Sequence, residues 1–195
     1  MKLILASTSK YRKKLMADAG FEAIGVAPDY DENAIDGLSP LDLIAAHARN
    51  KALSVAQLYP DDIVIGSDQG LVANDSLIGK PGSVEAACAQ LESLRGQEAI
   101  LATSVVVICR GRMLESQNHA HLKFRADLTS QTIERYVRAD MPMDCAGSFK
   151  IESRGSRLFT AIACDDPTAI QGLPMMKLNA MILECAPEWD MDFGV

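Results

Sequence analysis

The chain has no surplus of positive charge, no long apolar run, no paired-cysteine spacing and no low-complexity linker, and each absence narrows its class. Lysine and arginine total 19 against 26 aspartates and glutamates, a formal net charge of −7. Nucleic-acid polymers are normally bound through clustered cations on a basic domain, so DNA and duplex RNA are not expected partners. A small phosphorylated ligand needs only a few cations converging on one site, and stays open. No apolar stretch approaches the ~20 residues of a membrane span, and the apolar part of MKLILASTSK is too short for a signal-peptide core. It reads instead as a buried strand. A cytoplasmic protein without membrane contact is the expectation.

Cys88, Cys109, Cys145, Cys164 and Cys185 are odd in number, widely spaced and without a C-x-x-C pair. That pattern favours reduced thiols in a reducing compartment over a disulfide framework. His119 and His121 can share a strand face, but no further nitrogen or sulfur ligand is spaced to complete a zinc site. There is no internal repeat. Residues 1–195 are long enough for a full core, with 48% hydrophobic and 23% charged residues, an ordinary globular composition.

What is present alternates between strand-like and helix-like segments. Leu3 to Ala6 is a short apolar run, as in a strand covered on both faces. Ser9 can cap a helix that reaches Ala19, with Tyr11, Leu15 and Ala19 on one stripe and Gly20 as the stop. Phe21 to Val26 is a second strand, and Ser39-Pro40 opens a helix that runs to Leu58. Asp62 to Gly66 reads as a third strand ending in Ser67-Asp68-Gln69. Ser83 starts a helix closed by Gly96, Ala99 to Phe124 reads as a long hairpin turning at Gly111, and Thr129 starts a helix to Ala139. Ile151 to Cys164 predicts one or two strands, and Pro174 to Cys185 a last helix. The C-terminal segment with Trp189 and Phe193 fits either packing or an interface. The expected fold is one α/β domain over residues 1–195 with a mixed sheet.

Several segments put polar groups where open α/β sheets bind ligands, at strand ends. In Ser7-Thr8-Ser9-Lys10-Tyr11-Arg12-Lys13, a strand-to-helix turn offers hydroxyls, backbone N–H groups and two cations, Arg12 and Lys13, suited to phosphate. A capped amphipathic helix with a solvated basic face explains the same residues. Asp68 reads as a carboxylate at a strand tip, placed to hold a divalent cation or orient a water, or to start a tight turn. Lys80 sits in the rigid turn Gly79-Lys80-Pro81-Gly82. Lys51 lies at the edge of its helix's apolar stripe, either leaning out past the core or pointing toward a strand end. Pro28-Asp29-Tyr30-Asp31-Glu32 is either a solvated acidic loop or a source of metal ligands at Asp31 or Glu32.

Taken in order, LILASTSKYR, PDYDE, AxxKA at Ala48 to Ala52, GSDQ, GKP, AGSFKIE and DPTAIQGLP resemble the Maf, or septum-formation, family of nucleoside triphosphate pyrophosphatases. The motifs span Leu3 to Leu178. The resemblance implies an elongated mixed β-sheet flanked by helices with a deep nucleotide cleft, like that of inosine triphosphatases, in a homodimer. It implies hydrolysis of a nucleoside triphosphate to the monophosphate and pyrophosphate with a divalent metal, Mg2+ or Mn2+. By position, Ser7, Arg12, Lys13, Lys51 and Lys80 would hold the triphosphate. Glu32 and Asp68 would serve the metal and the attacking water, with Asp68 the nominal proton acceptor. A carboxylate set among cations is a weak base, better suited to positioning water than to removing a proton unaided.

Subgroups of the family differ at places matching Tyr11, Gln69 and Glu152. An aromatic at 11 and an acid at 152 resemble the subgroup acting on 7-methyl-GTP, whereas the thymidine and uridine subgroup has Arg and Gln there. An aromatic face stacks on a positively charged methylated purine, and a carboxylate accepts from the N–H groups of guanine's pairing edge. Such an activity would keep modified nucleotides out of nucleic acids. Alternatives are hydrolysis of dTTP, UTP or other nucleotides, and a nucleotide-binding regulator of cell division. Lys10 and Lys13 depart from the family's usual Pro and Arg, and Gly70 from an apolar β-former. Lysine keeps the charge at 13 but lacks arginine's fork.

Overall fold

The computed structural model describes residues 1–32, 35 and 37–189. The strands are β1 (Leu3–Leu5), β2 (Ala23–Gly25), β3 (Ile63–Ala73), β4 (Ser76–Ile78), β5 (Glu98–Cys109), β6 (Arg112–Phe124) and β7 (Phe159–Ala163). The helices are α1 (Lys10–Asp18), α2 (Pro40–Ala56), α3 (Val84–Leu94), α4 (Ser130–Asp140) and α5 (Met175–Cys185). The strands form a mixed sheet in the order β2-β1-β3-β5-β6-β7, with β4 paired to β3. The chain divides into two compact units. One comprises Met1–Asp68, Thr103–Asn118 and Asp166–Val195, the other Gln69–Ala102 and His119–Asp165.

In the first unit β1 pairs in parallel with both β2 and β3, Leu3 opposite Ala23 and Ile63. A strand's side chains alternate between faces, and here both faces are apolar. Leu3, Leu5, Ile63, Ile65, Val105 and Val107 meet α1 and α5 through Leu15, Met16, Leu178 and Ile182. Ile4, Ala6 and Val64 meet α2 through Val55. Of the expected α1 stripe Leu15 is buried, Tyr11 is half-buried and Ala19 is exposed, and Met16 is buried beside Leu15. Trp189 packs against the first of these clusters. Phe193 lies outside the described residues.

Gly66 fixes how α2 sits on β3. A Cβ at that position would stand 2.5 Å from the Ala48 carbonyl oxygen and 2.7 Å from the Ala52 Cβ. Helix backbone and strand backbone therefore touch at three small residues, and no larger side chain fits there. The AxxKA and GSDQ motifs meet at this contact.

The strand does not end at Gly66. β3 continues through Ser67, Asp68 and Gln69 to Ala73, so Asp68 lies within a strand rather than at its tip or at the start of a turn. The polar run that suggested a terminus spans the stretch between the β1 pairing, which ends at Ile65, and the β4 pairing, which begins at Leu71.

In the second unit Asn74 and Asp75, at φ +50° and +56°, make a two-residue turn that pairs β4 with the end of β3. β4 has no counterpart among the expected elements. α3 packs on α4. Phe124, Phe149 and Phe159 form an aromatic cluster with ring centroids 4.6 and 4.9 Å apart. Only Phe159–Ala163 of the expected strand region is extended. Residues 146–158 contain two short 3-10 turns instead, Ala146–Ser148 and Arg154–Leu158.

Their backbone bonds go to side chains that sequence periodicity does not reveal. The buried Asp140 carboxylate accepts from the Arg154 amide and guanidinium at 2.9 and 2.6 Å. Lys150 donates its ammonium to the carbonyls of Asp140 and Met141, and its amide to the Tyr136 hydroxyl.

Candidate active site

The first unit brings Lys51, Asp68 and Glu32 together. The Lys51 ammonium lies 2.7 Å from Asp68 Oδ1 and 2.5 Å from Glu32 Oε1. Lys51 and Asp68 are largely enclosed, at 12% and 17% side-chain exposure, whereas Glu32 is 57% exposed. The close contact of Ala48 and Ala52 with Gly66 explains the first pairing. It sets the α2 backbone against β3, so a lysine one residue before Ala52 reaches a carboxylate two residues after Gly66. Lys51 thus turns inward instead of leaning out into solvent.

Glu32 arrives on the loop between β2 and α2. The Tyr30 hydroxyl in that loop lies 2.9 Å from His47 Nδ1, and the two rings are tilted at a centroid distance of 5.8 Å. His47 is buried and precedes Lys51 by one helical turn, so one helix holds both the loop and the cation that Glu32 meets. Tyr30 lies within PDYDE, where only the acids drew notice, and His47 lies in no motif. The sequence signal available was a histidine on the apolar side of a helix.

Arg12 projects from α1, whose N-cap Ser9 accepts from the Arg12 amide. Its Nε donates to the Gly172 carbonyl at 3.0 Å and its NH1 to Ser7 Oγ at 3.4 Å. The buried Ser7 hydroxyl also accepts from the Ser9 amide. Burial pushes the Arg12 guanidinium below its ordinary value, while the charges of Asp68 and Glu32 pull it back up. Arginine stays charged through such a shift. Lys13 is exposed, and its stem crosses Gly25 of β2, where a Cβ would come within 2.3 Å of Lys13 Cε. Tyr11 is half-buried, and the Lys10 ammonium stands 4.9 Å from its ring centroid, so this ring already carries a cation on its face.

The second unit holds the other three expected site residues. Gln69 is half-buried in β3, Lys80 is exposed between β4 and α3, and Glu152 is exposed between the two 3-10 turns. Gln90 on α3 ties two of their segments. Its amide nitrogen donates to the Gly79 carbonyl at 3.3 Å, and its oxygen accepts from the Ser148 hydroxyl at 2.5 Å. Gln90 was not among the expected site residues.

Glu32 and Asp68 offer hard carboxylate oxygens to one point, which Lys51 neutralises. That donor set suits Mg2+ or Mn2+, which take one or two carboxylates and complete their shells with water and phosphate oxygens. Among the described residues no group of three or more His, Cys, Asp or Glu side chains gathers at one place. His119 and His121 lie on β6.

The Maf-like protein family matches residues 2–185. The chain belongs to the Maf family. Among relatives of this Maf-family chain is the 7-methyl-GTP pyrophosphatase of Albidiferax ferrireducens, 43% identical over 183 residues, which are 93% of this chain and 92% of the relative. The protein of the same name from Xanthomonas axonopodis pv. citri is 42% identical over 93% of this chain and 95% of its own. In fold, the chain is similar to a Ham1 protein from Coxiella burnetii, with a TM-score of 0.51, 15% identity, and coverage of 94% of this chain and 99% of that one.

Proposed function

We propose that this chain hydrolyses 7-methyl-GTP between its α and β phosphates, releasing 7-methyl-GMP and pyrophosphate. The observation that carries the reading is the Lys51–Asp68–Glu32 constellation in a chain more than 40% identical to relatives named for that activity. Residues 1–195 act as a single catalytic domain in this proposal.

Arg12, Ser7 and Lys51 hold phosphate oxygens, and Lys13 and Lys80 add charge to the same anion. Cations so placed stabilise the charge that builds on departing pyrophosphate, the larger part of catalysis in phosphoryl transfer. An enclosed cation at ~4 Å gains about 4 kcal/mol with an effective dielectric near 20, before desolvation is subtracted, and the exposed Lys13 and Lys80 gain less because solvent and salt screen them. Asp68 orients the attacking water and accepts its proton at a carboxylate oxygen. Glu32 and Asp68 would also hold a divalent cation. When bound, that cation neutralises phosphate charge and favours the attacking oxygen.

Lys51 occupies the point between the two carboxylates in the structure, so cation and lysine share one pair of acids. Lysine then moves from carboxylate to phosphate as the substrate enters. Tyr11 stacks on the methylated purine in place of Lys10, and Glu152 and Gln69 read its polar edge.

The enzyme works in the cytoplasm as a homodimer. The odd number and wide spacing of the five cysteines support the compartment. No described helix is long and apolar enough to cross a membrane.

A turnover screen tests the reading. Purified chain with Mg2+ or Mn2+ is given 7-methyl-GTP, GTP, dTTP, UTP and other triphosphates, and pyrophosphate and monophosphate are measured. The expected result is fastest turnover of 7-methyl-GTP. Faster hydrolysis of dTTP or UTP would move the chain to the other subgroup. Binding that raises the melting temperature without consumption of any triphosphate would favour a regulator.

A further inference from the structure

The DPTAIQGLP segment is the one motif that the proposed chemistry leaves without a task. It folds as the 3-10 turn Pro167–Gln171 followed by Gly172 and the start of α5. The buried Asp166 carboxylate organises it. One oxygen accepts from the Thr168 amide and hydroxyl, the other from the Met176 and Lys177 amides at the start of α5. The Thr168 hydroxyl oxygen in turn accepts from the Met175 amide. The Ala169 carbonyl takes the Gly172 amide and the Thr103 hydroxyl, closing the turn against β5. This knot aims a single backbone oxygen, that of Gly172, at two donors: Arg12 Nε at 3.0 Å and the fully buried Ser67 hydroxyl at 2.9 Å.

We propose that this turn is the seat of Arg12: the Gly172 carbonyl, held by Ser67 and by the Asp166 knot, fixes the guanidinium so that its NH1/NH2 end faces substrate phosphate. The inference rests on the reading of Arg12 as a phosphate holder. A guanidinium has five N–H donors in a rigid plane, and committing the Nε proton to one carbonyl decides which edge remains as a fork. Gly172 itself has φ +108°, and a Cβ there would stand 3.2 Å from Arg12 Nε and 3.3 Å from its Cγ. The position therefore requires glycine for its backbone and for the arginine packed on it. Ser67, Gly172 and Asp166 are positioning residues in this account. A long side chain held in one rotamer before binding loses less entropy when it meets phosphate.

The experiment is a double-mutant cycle between Ser67 and Arg12, read as steady-state hydrolysis of 7-methyl-GTP with Mg2+, alongside melting curves. Ser67→Ala leaves the Gly172 oxygen bonded to Arg12, so the fold is expected to persist. It should raise KM roughly fivefold with kcat within about twofold, the size of one lost hydrogen bond acting on binding. Arg12→Ala should raise KM by roughly tenfold or more, the scale of a charged phosphate contact. The double variant should be no worse than Arg12→Ala, because the seat then has nothing to hold.

Additive losses in the cycle, or a wild-type KM in Ser67→Ala beside a raised KM in Arg12→Ala, would overturn the seat and leave the phosphate role standing. A wild-type KM in Arg12→Ala would remove both. A purely structural role for Ser67 lowers the melting temperature in both backgrounds and leaves KM alone. Should Ser67→Ala not fold, Thr168→Val approaches the same seat from the Asp166 side, with the same lack of additivity expected.

Discussion

In the first unit Lys51 and Asp68 are set by each other and Arg12 by a backbone carbonyl, whereas in the second Lys80 and Glu152 stand exposed on loops fixed from behind. The supports differ in kind. Lys51 owes its place to backbone packing of α2 on Gly66, and Arg12 to a carbonyl and a buried serine. The segment bearing Glu152 hangs on Asp140, Lys150 and Tyr136, and the segment bearing Lys80 on Gln90. Groups that meet phosphate gain from being held, because charge that is already oriented costs no rearrangement at the moment of reaction. Glu152, proposed to read the base, sits on a loop, which can change without disturbing the scaffold, and Lys80, proposed to add charge at the phosphates, is on a loop as well.

The largest test strikes the held side. Replacing Lys51 with Met should lower kcat/KM for 7-methyl-GTP by about 10²- to 10³-fold, the range for removing one preorganised stabilising group. It also leaves the enclosed Asp68 carboxylate beside Glu32 without its cation, at a cost of about 1–3 kcal/mol in stability. Added Mg2+ should restore part of that loss, raising the melting temperature of Lys51→Met more than that of wild type. Equal shifts would show that the two carboxylates do not form a cation site. Asp68→Asn keeps the shape of the pair and should fold normally, yet lose turnover by a similar factor. Turnover equal to wild type would remove Asp68 from the chemistry.

Helix starts are legible in sequence in both units, for a local reason. Ser9, Ser39, Ser83 and Thr129 each accept from the backbone amide three residues on, as their positions before apolar stripes predict. Strands β1 and β3 show as apolar runs because both faces are buried. The exception is the continuation of β3 past Gly66. Glycine, serine and aspartate in succession read as a turn, but here they continue the strand. Residues 146–158 failed for the opposite reason. Their shape is written in long-range bonds from Asp140, Lys150 and Tyr136, and no local periodicity reports these. The Tyr30–His47 pair and the Gly172 seat are invisible for the same cause, since sequence spacing says nothing of partners 17 or 160 residues apart.

A smaller effect is expected on the loop side. Asp140→Asn keeps the size of the side chain but weakens two bonds to Arg154 that hold residues 146–158. Arg154 is 56% exposed while Asp140 is fully enclosed, so the pair is part screened and the loss should be about 1–2 kcal/mol. Burial opposes ionisation of Asp140, but the Arg154 bonds win and hold it below the usual carboxylate range. A carboxylate so depressed adds stability above its unfolded pKa, and that part is lost as pH falls through the folded one. Asp140→Asn should therefore narrow the stability gap to wild type at acid pH. If loops select the base, its preference for 7-methyl-GTP over GTP should also decline, with hydrolysis of GTP little changed. A uniform fall for both nucleotides would put this segment on the held side of the comparison.

The smallest expected effect concerns His119, on the part of β6 that belongs to the second unit. Burial, aided by the neighbouring His121, pushes its imidazole below the ordinary histidine value. The unfolded chain then binds more protons than the folded one between the two values. Stability should accordingly rise with pH through that window and decline as pH falls below about 6.5, the ordinary histidine value. His119→Gln removes the titration and should flatten the melting temperature between pH 7 and 5, by a few degrees at most, since His119 is only half-buried. Turnover per folded molecule should keep its pH profile, because no phosphate or base contact is assigned to this face of β6. A changed profile would bring His119 into the loop-side chemistry, whereas an unchanged melting slope would show that its burial costs the fold nothing.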